Sequence, residues 1–181
     1  QFGSGIKERA ECFKIGHGRE PDKDFGPVIS DTQRKRVMSH IQTGIDEGAE
    51  LVTGGEMIGD KGFFVKPTIF THIHGDMKIA TEEIFGHVLC AQSFENNDLE
   101  AIAQQANDTS YGLSGSVWTQ DISVAHKMAM LINAGQVSIN WHAAVDPAIP
   151  FGGNKQSGWG REFGKEGLEP YLKTKATSVI F

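Results

Sequence analysis

The sequence predicts an α/β fold with a largely parallel sheet and flanking helices. Two observations lead to this prediction. Short segments rich in β-branched and aromatic residues alternate with longer segments in which apolar residues recur at helical spacing. Glycine, proline and capping residues separate the segments, and this alternation is typical of helices packed on a parallel sheet.

The first half of the chain begins with two predicted helices. Apolar residues near helical spacing predict an amphipathic helix over residues 2–15. A second helix is predicted to begin at a capping box, in which Ser30 is the N-cap and Gln33 reaches back to it. Gly48 is predicted to end that helix, because glycine adopts the left-handed backbone of a C-terminal cap without strain. The predicted strand segments that follow are residues 49–53, 63–65, 68–70 and 88–94.

The second half of the chain continues the alternation. Its predicted elements are helices over 98–107, 121–133 and 166–172, and strands over 115–119, 136–140 and 176–181. Gly135 is predicted to cap the second of these helices. A parallel sheet needs covered faces and neighbouring strands, so this small number of strands fits a domain without its first part.

Composition limits the classes of function. The chain has 181 residues, 39% of them hydrophobic and 22% charged, which suffices for a core and for one domain or one and a fraction. A net charge of -6 argues against a nucleic-acid or anionic-membrane partner. No apolar run approaches the roughly 20 residues that span a bilayer. The presence of only two cysteines favours a reducing, cytoplasmic compartment.

Two stretches have unusual chemistry. Glu82 and Glu83 precede Phe85 just before a predicted strand, where a carboxylate can accept hydrogen bonds from a ribose. The alternative is a solvated helix start beside a buried phenylalanine. Residues 149–162 are rich in glycine, which permits close backbone approach to a ligand, although the spacing matches neither a Walker nor a Rossmann loop. The alternative there is a structural crossover loop, and the residues alone leave both questions open.

No catalytic or metal-binding residue is predicted within the chain. The seven histidines, His40 and His142 among them, show no metal-ligand spacing and are assigned no role. Cys12 lies in a charged helical segment and Cys90 in an apolar strand. Neither position has the helix N-terminus or cationic surroundings that activate a thiol, so both are interpreted as structural.

A series of short motifs resembles the aldehyde dehydrogenase family. The motifs, in chain order, are residues 25–30, 50–55, 64–70, 82–86, 107–113, 134–140 and 150–162. Each is weak alone, but their order and spacing cover nearly the whole chain. The resemblance implies that residues 1–172 are the C-terminal part of the catalytic domain. It also implies that residues 173–181 are an oligomerisation strand that joins a sheet between subunits of a homo-oligomer.

The resemblance also implies residue roles. Glu83 corresponds to the carboxylate that holds the nicotinamide ribose of NAD or NADP, and Phe85 to the aromatic residue beside the nicotinamide. Phe151 corresponds to a wall of the aldehyde funnel. The residues of the variable loop that shapes substrate choice are Trp141, Ala143 and Val145. One departure is His87, which stands where the family usually has proline after Gly86 and is expected to loosen the nicotinamide-side loop that carries Glu83 and Phe85.

The implied reaction is oxidation of an aldehyde to a carboxylic acid through a cysteine thiohemiacetal and thioester. The family's nucleophilic cysteine, general-base glutamate and most of its cofactor domain are expected upstream of residue 1, so the chain alone is expected to be inactive. The alternative is a stand-alone, non-catalytic α/β module used for assembly or ligand binding. The sequence leaves open which aldehyde is used, whether the cofactor is NAD or NADP, and whether Gln1 is a natural start.

Overall fold

A computed structural model describes residues 2–94, 97–142 and 145–181, including the side chains from residue 5 onward within these ranges. It confirms the α/β class. The chain divides into two compact units, residues 1–95 and residues 96–181. In the described part of the chain, no helix is long and apolar enough to cross a membrane.

The first unit is a small mixed sheet covered by helices. Its elements are α1 Phe2–Glu11, α2 Asp31–Asp46, β1 Glu50–Thr53, β2 Thr68–Thr71, α3 Lys78–Thr81 and β3 Val88–Cys90. The strand order is β1-β2-β3, with β1 antiparallel and β3 parallel to β2. The predicted segment 63–65 contributes only an isolated bridge between Met57 and Val65.

The core of this unit lies between β2 and α2. Phe70 of β2 and Val37 of α2 are fully buried, and Ile41 is 1% exposed. A Cβ atom added to Gly44 would lie 2.7 Å from Cδ1 of Ile79, so the absence of a side chain lets α2 approach α3 closely. Burial of these apolar side chains fixes the rotation of α2 about its axis.

The ends of α2 confirm part of the capping prediction. The Ser30 hydroxyl accepts a hydrogen bond from the backbone N–H of Gln33 at 3.2 Å, and Gly48 follows the helix with φ +92°. The predicted return bond from the Gln33 side chain is wrong. That amide donates instead to the carbonyl oxygens of Ile84 and Phe85, 3.2 and 2.9 Å away.

The second unit contains a strand–helix–strand arrangement whose helical connection is long enough for the two strands to pair in parallel. Its elements are α4 Leu99–Asn107, β4 Ser114–Val117, α5 Ile122–Leu131, β5 Gln136–Ile139 and 3₁₀ turns at Lys155–Ser157 and Glu169–Tyr171. Strands β4 and β5 are parallel, with α5 as the connection. Asp98 and Asp121 cap α4 and α5 with their carboxylates. Ala103, Val117 and Met128 form the core.

Three predictions for the second half need correction. Ile132 caps α5, whereas Gly135 lies beyond the helix in close backbone contact with the later glycine-rich loop. The predicted helix at 166–172 is a 3₁₀ turn. The predicted C-terminal strand is not formed, because residues 172–181 have no regular secondary structure and Ile180 is 97% exposed. A β-prone segment forms a strand only where a neighbouring strand satisfies its backbone groups.

Candidate functional site

The adjacent carboxylates Glu82 and Glu83 have different environments. The Glu82 carboxylate lies 3.2 Å from Nε2 of His40 and 3.8 Å from the ammonium group of Lys78. Glu83 is exposed, and within the described residues its carboxylate has no hydrogen bond or ion pair. Glu82 follows the last residue of α3 with extended backbone angles, φ -101° and ψ 146°. The segment therefore presents Glu83 free to solvent.

Polar residues on one face of α2 hold the backbone of this segment. The Gln33 side chain donates to the carbonyls of Ile84 and Phe85, and a guanidinium N–H of Arg36 donates to the carbonyl of Glu83 at 2.9 Å. Residues 33, 36 and 40 are spaced by three and four positions, so they share a helix face. Together they attach residues 82–85, which we name the acidic loop, to α2.

Phe85 is strained and exposed. Its φ is +55°, an unusual value for a bulky residue, and its side chain is 71% exposed, whereas its neighbour Ile84 is buried in the core. The interpretation of a buried phenylalanine at this position is therefore wrong. Strained backbone persists where surrounding contacts determine it, and such positions cluster at functional sites. The acidic loop thus presents a free carboxylate and an exposed aromatic ring two residues apart.

His87 occupies a packed position. Its ring centroid lies 4.8 Å from that of Phe25, and its backbone carbonyl accepts a hydrogen bond from Thr68 at 2.8 Å. Its Nδ1 is buried and has no hydrogen-bond partner in the described part of the chain. The ring thus packs against its neighbours, although a proline at this position would restrict the backbone more.

Internal hydrogen bonds hold the glycine-rich loop. The ammonium group of Lys155 donates to the carbonyls of Asn107 and Thr109, at 2.8 and 3.0 Å. The guanidinium of Arg161 donates to the carbonyl of Gly153 at 2.9 Å. Since both cations bind backbone carbonyls, this geometry favours a structural role for most of the loop.

Phe151 lies at the first turn of that loop. It pairs with Glu162 through backbone hydrogen bonds of 2.8 and 2.7 Å in both directions, and its side chain is half-buried. Its backbone position is therefore well defined.

Trp141 and Val145 lie beyond the carboxyl end of β5, and both side chains are exposed, by 61% and 52%. Asn140, with φ +52°, exchanges two side-chain hydrogen bonds of 2.9 Å with the backbone of Thr119. This bridge joins the ends of β4 and β5 where Trp141 leaves the sheet. Ala143, predicted to belong to the same variable loop, lies outside the described residues.

Burial raises the pKa of the Cys90 thiol to about 11. A thiol with this pKa is almost entirely protonated near neutral pH and is a poor nucleophile. Cys12 is exposed at the end of α1. The environment of Cys90 therefore agrees with its interpretation as a structural residue.

Comparison of this sequence with models of known protein families identifies the family to which the chain belongs. The model of the aldehyde dehydrogenase family matches residues 1–177. The chain belongs to the aldehyde dehydrogenase family. Its similarity to the mitochondrial aldehyde dehydrogenase of Leishmania tarentolae is 42% identity, covering 97% of this chain and 35% of that protein.

Solved aldehyde dehydrogenases share the fold. The aldehyde dehydrogenase of Bacillus cereus, solved as an NAD⁺ complex, is 42% identical, with a TM-score of 0.88 over 94% of this chain and 34% of that one. Betaine aldehyde dehydrogenase of Staphylococcus aureus, a double mutant also with NAD⁺, is 38% identical, with a TM-score of 0.91 over 96% and 36%. This aldehyde dehydrogenase chain thus spans about a third of the length of these relatives.

Sequence reasoning missed the residues that hold the acidic loop. Gln33 was interpreted only as part of a cap, His40 received no role, and Arg36 was not considered. A signal was available in the spacing: polar residues at 33, 36 and 40 form a stripe beside the apolar stripe of α2. Their partners are mostly backbone carbonyls some fifty positions away, which no residue pattern identifies.

Proposed function

We propose that this chain is part of an NAD(P)-dependent aldehyde dehydrogenase that oxidises an aldehyde to a carboxylic acid. It corresponds to the C-terminal part of the catalytic domain over residues 1–172, with residues 173–181 as a tail. In the complete protein a cysteine thiolate outside this chain attacks the aldehyde carbon and forms a thiohemiacetal. Loss of hydride gives a thioester, and water activated by a glutamate, also outside this chain, releases the acid.

The observation that carries the proposal is the presentation of Glu83 by the acidic loop. A carboxylate has about four lone-pair sites, so it can accept hydrogen bonds from both hydroxyls of a ribose. The free carboxylate of Glu83 and the exposed ring of Phe85 fit a nicotinamide riboside, whose two parts are a polar sugar and a flat aromatic ring. When bound, the nicotinamide accepts the hydride from the substrate. Glu83 orients the ribose, and Phe85 limits the space beside the ring.

The residues proposed to contact the aldehyde are Phe151, Trp141 and Val145. Trp141 and Val145 are exposed apolar side chains beyond the parallel strand β5. Phe151 is held by backbone pairing with Glu162. Ligands of α/β proteins bind at the carboxyl ends of strands. Apolar walls exclude water from the reacting carbon, which favours an aldehyde with an apolar chain or ring.

Assembly and location belong to the same proposal. We propose a homo-oligomer that uses the tail, where Val179, Ile180 and Phe181 are exposed side chains. The free thiols of Cys12 and Cys90 agree with a reducing, cytoplasmic compartment.

The test uses the complete protein that contains this chain. Glu83→Gln should slow single-turnover hydride transfer to nicotinamide by about tenfold or more, because a neutral amide replaces an acceptor-only carboxylate and positions the cofactor less well. Glu8→Gln is the matched control, since Glu8 is an exposed glutamate on α1. Absorbance of reduced cofactor measures the rate over a panel of aldehydes.

Two results would contradict the proposal. The first is unchanged single-turnover transfer in Glu83→Gln, which would remove the role of that carboxylate. The second is the lack of NAD⁺- or NADP⁺-dependent oxidation of any aldehyde by the complete protein, which would favour the non-catalytic module. Robust turnover by the 181-residue chain alone would refute the inference that the nucleophile lies outside it.

A further inference from the structure

His40 is a buried polar residue on the core side of α2. Its exposure is 6%, and its neighbours on the helix, Val37 and Ile41, belong to the apolar core. Burying an imidazole costs free energy unless its nitrogen atoms have hydrogen-bond partners. Both nitrogens of His40 have one, so its position is determined by polar contacts as well as by packing.

The two partners of the ring are both acceptors. Nδ1 lies 2.9 Å from the backbone carbonyl oxygen of Arg36, and Nε2 lies 3.2 Å from a carboxylate oxygen of Glu82. The ring therefore joins the backbone of α2 to the Glu82 carboxylate, and a second oxygen of that carboxylate lies 3.8 Å from the ammonium group of Lys78.

The contact connects α2 to the residue before Glu83. Lys78 is the first residue of α3, and its backbone carbonyl accepts a hydrogen bond from the N–H of Glu82 at 2.9 Å. Glu82 is thus fixed at its backbone by α3 and at its side chain by His40. Because Glu83 is the next residue, these two contacts also restrict the backbone from which the Glu83 side chain extends.

We propose that His40 is a positioning residue for the cofactor: by binding Glu82 it sets the orientation in which Glu83 meets the nicotinamide ribose. This inference rests on the proposed function. It assigns His40 no contact with the cofactor or the substrate. Its effect is on the conformation of the acidic loop, and that conformation exists without any bound molecule.

The experiment compares three variants of the complete protein. His40→Leu removes both hydrogen bonds at similar volume, whereas His40→Gln keeps an N–H donor near the place of Nε2. Glu82→Ala removes the partner from a side chain that is 49% exposed, so it threatens folding least. The matched control is His126→Gln, an exposed helical histidine of α5.

The first readout is backbone hydrogen exchange of the cofactor-free protein over residues 82–88. We expect His40→Leu and Glu82→Ala each to raise exchange there by about threefold or more, since a loop that loses its contacts opens more often. His40→Gln should stay near the wild type. Unchanged exchange in Glu82→Ala, or in a folded His40→Leu variant, would overturn the proposal whether or not the protein oxidises aldehydes.

The second readout is the kinetics with the better of NAD⁺ and NADP⁺. We expect the KM for the cofactor to rise roughly tenfold in His40→Leu and Glu82→Ala, with partial rescue in His40→Gln, because misplacement of a binding group weakens every state that it contacts. The double variant should be no worse than either single one, since both remove the same contact. Additive effects, or a lower kcat at unchanged KM and unchanged affinity for the cofactor, would contradict positioning through Glu82.

Discussion

Replacement of Gly135 by alanine tests the packing of the glycine-rich loop. Gly135 precedes β5, and its backbone N–H donates to the carbonyl of Gly112 at 3.0 Å. The same carbonyl accepts the N–H of Asn154 from the loop at 2.8 Å. Gly135 is not in the left-handed region, so backbone strain plays no part in the prediction. The effect comes from space alone.

The size of the effect follows from that space. A Cβ atom on Gly135 would lie 2.8 Å from the carbonyl carbon of Gly152, and closer still to its oxygen. Ordinary carbon contacts are about 3.5–4.0 Å, so the contact with the carbonyl carbon alone requires the two backbone segments to separate by roughly 1 Å, and the oxygen requires more. Overpacking of this kind costs about 1–3 kcal/mol, and the separation breaks one backbone hydrogen bond worth about 1 kcal/mol. We expect Gly135→Ala to lower the free energy of unfolding by about 2–4 kcal/mol.

Urea denaturation of the complete protein, followed by circular dichroism and by tryptophan fluorescence, measures this loss. The control is Gly18→Ala, because a Cβ atom at Gly18 meets no atom within 4 Å. A Gly135→Ala protein within about 0.5 kcal/mol of the control would refute the packing argument, since that is the scatter of neutral surface substitutions. The same variant should also raise the KM for the aldehyde, because Phe151 adjoins the displaced residue.

The remaining predictions concern the ends of α2 and the thiols. Ser30→Ala should destabilise the protein by about 1 kcal/mol, because the N-cap hydroxyl is lost. The control Ser39→Ala, on the exposed middle of α2, should be near neutral. Equal midpoints of urea denaturation for the two variants would contradict the role of Ser30 as a cap. Cys90 should resist iodoacetamide at pH 7 relative to the exposed Cys12, since a pKa of about 11 against the ordinary 9.0 lowers the thiolate fraction about a hundredfold. Mass spectrometry locates the label, and faster labelling of Cys90 would overturn the assignment of a buried thiol.

The sequence predicted the elements well where a local signal sets them. Ser30, Asp98 and Asp121 are N-caps that lie at the predicted starts of helices, and each places its oxygen on backbone N–H groups of the first turn. Such signals depend on three or four neighbouring residues, so they can be read from the chain itself. The parallel pairing of β4 and β5 was also expected, because a helix of suitable length separates them.

The failures have a common cause in distant partners. Gln33 has the spacing of a capping box, yet two carbonyls of the acidic loop compete for its amide and bind it. Gly135 lies where a helix cap is expected, yet its lack of a side chain serves the close packing of the Gly152 backbone against it. Residues 176–181 have the composition of a strand but no paired neighbour in this chain. In each case the outcome depends on contacts, made or missing, that the local spacing of residues does not predict.

The candidate site was predicted through resemblance more than through chemistry. The residues alone could not separate Glu82 from Glu83, since the two carboxylates are adjacent and identical. The structure distinguishes the two carboxylates, because His40 and Lys78 lie beside that of Glu82, whereas no described residue forms a hydrogen bond or ion pair with that of Glu83.

Helix α2 has two adjoining stripes, an apolar one in the core and a polar one on the acidic loop. Each residue of an α-helix advances the side chains by about 100° around the axis. Insertion or deletion of a single residue between Gln33 and His40 would therefore rotate the residues before it by about 100° against those after it, so that Gln33 and His40 could not both face the acidic loop. We therefore expect this chain to tolerate insertions and deletions in the loops before and after α2 but not within the helix. Single substitutions within the helix remain possible at individual positions. The residues of α2 that pack in the core and those that hold the acidic loop must therefore keep a constant spacing along the helix.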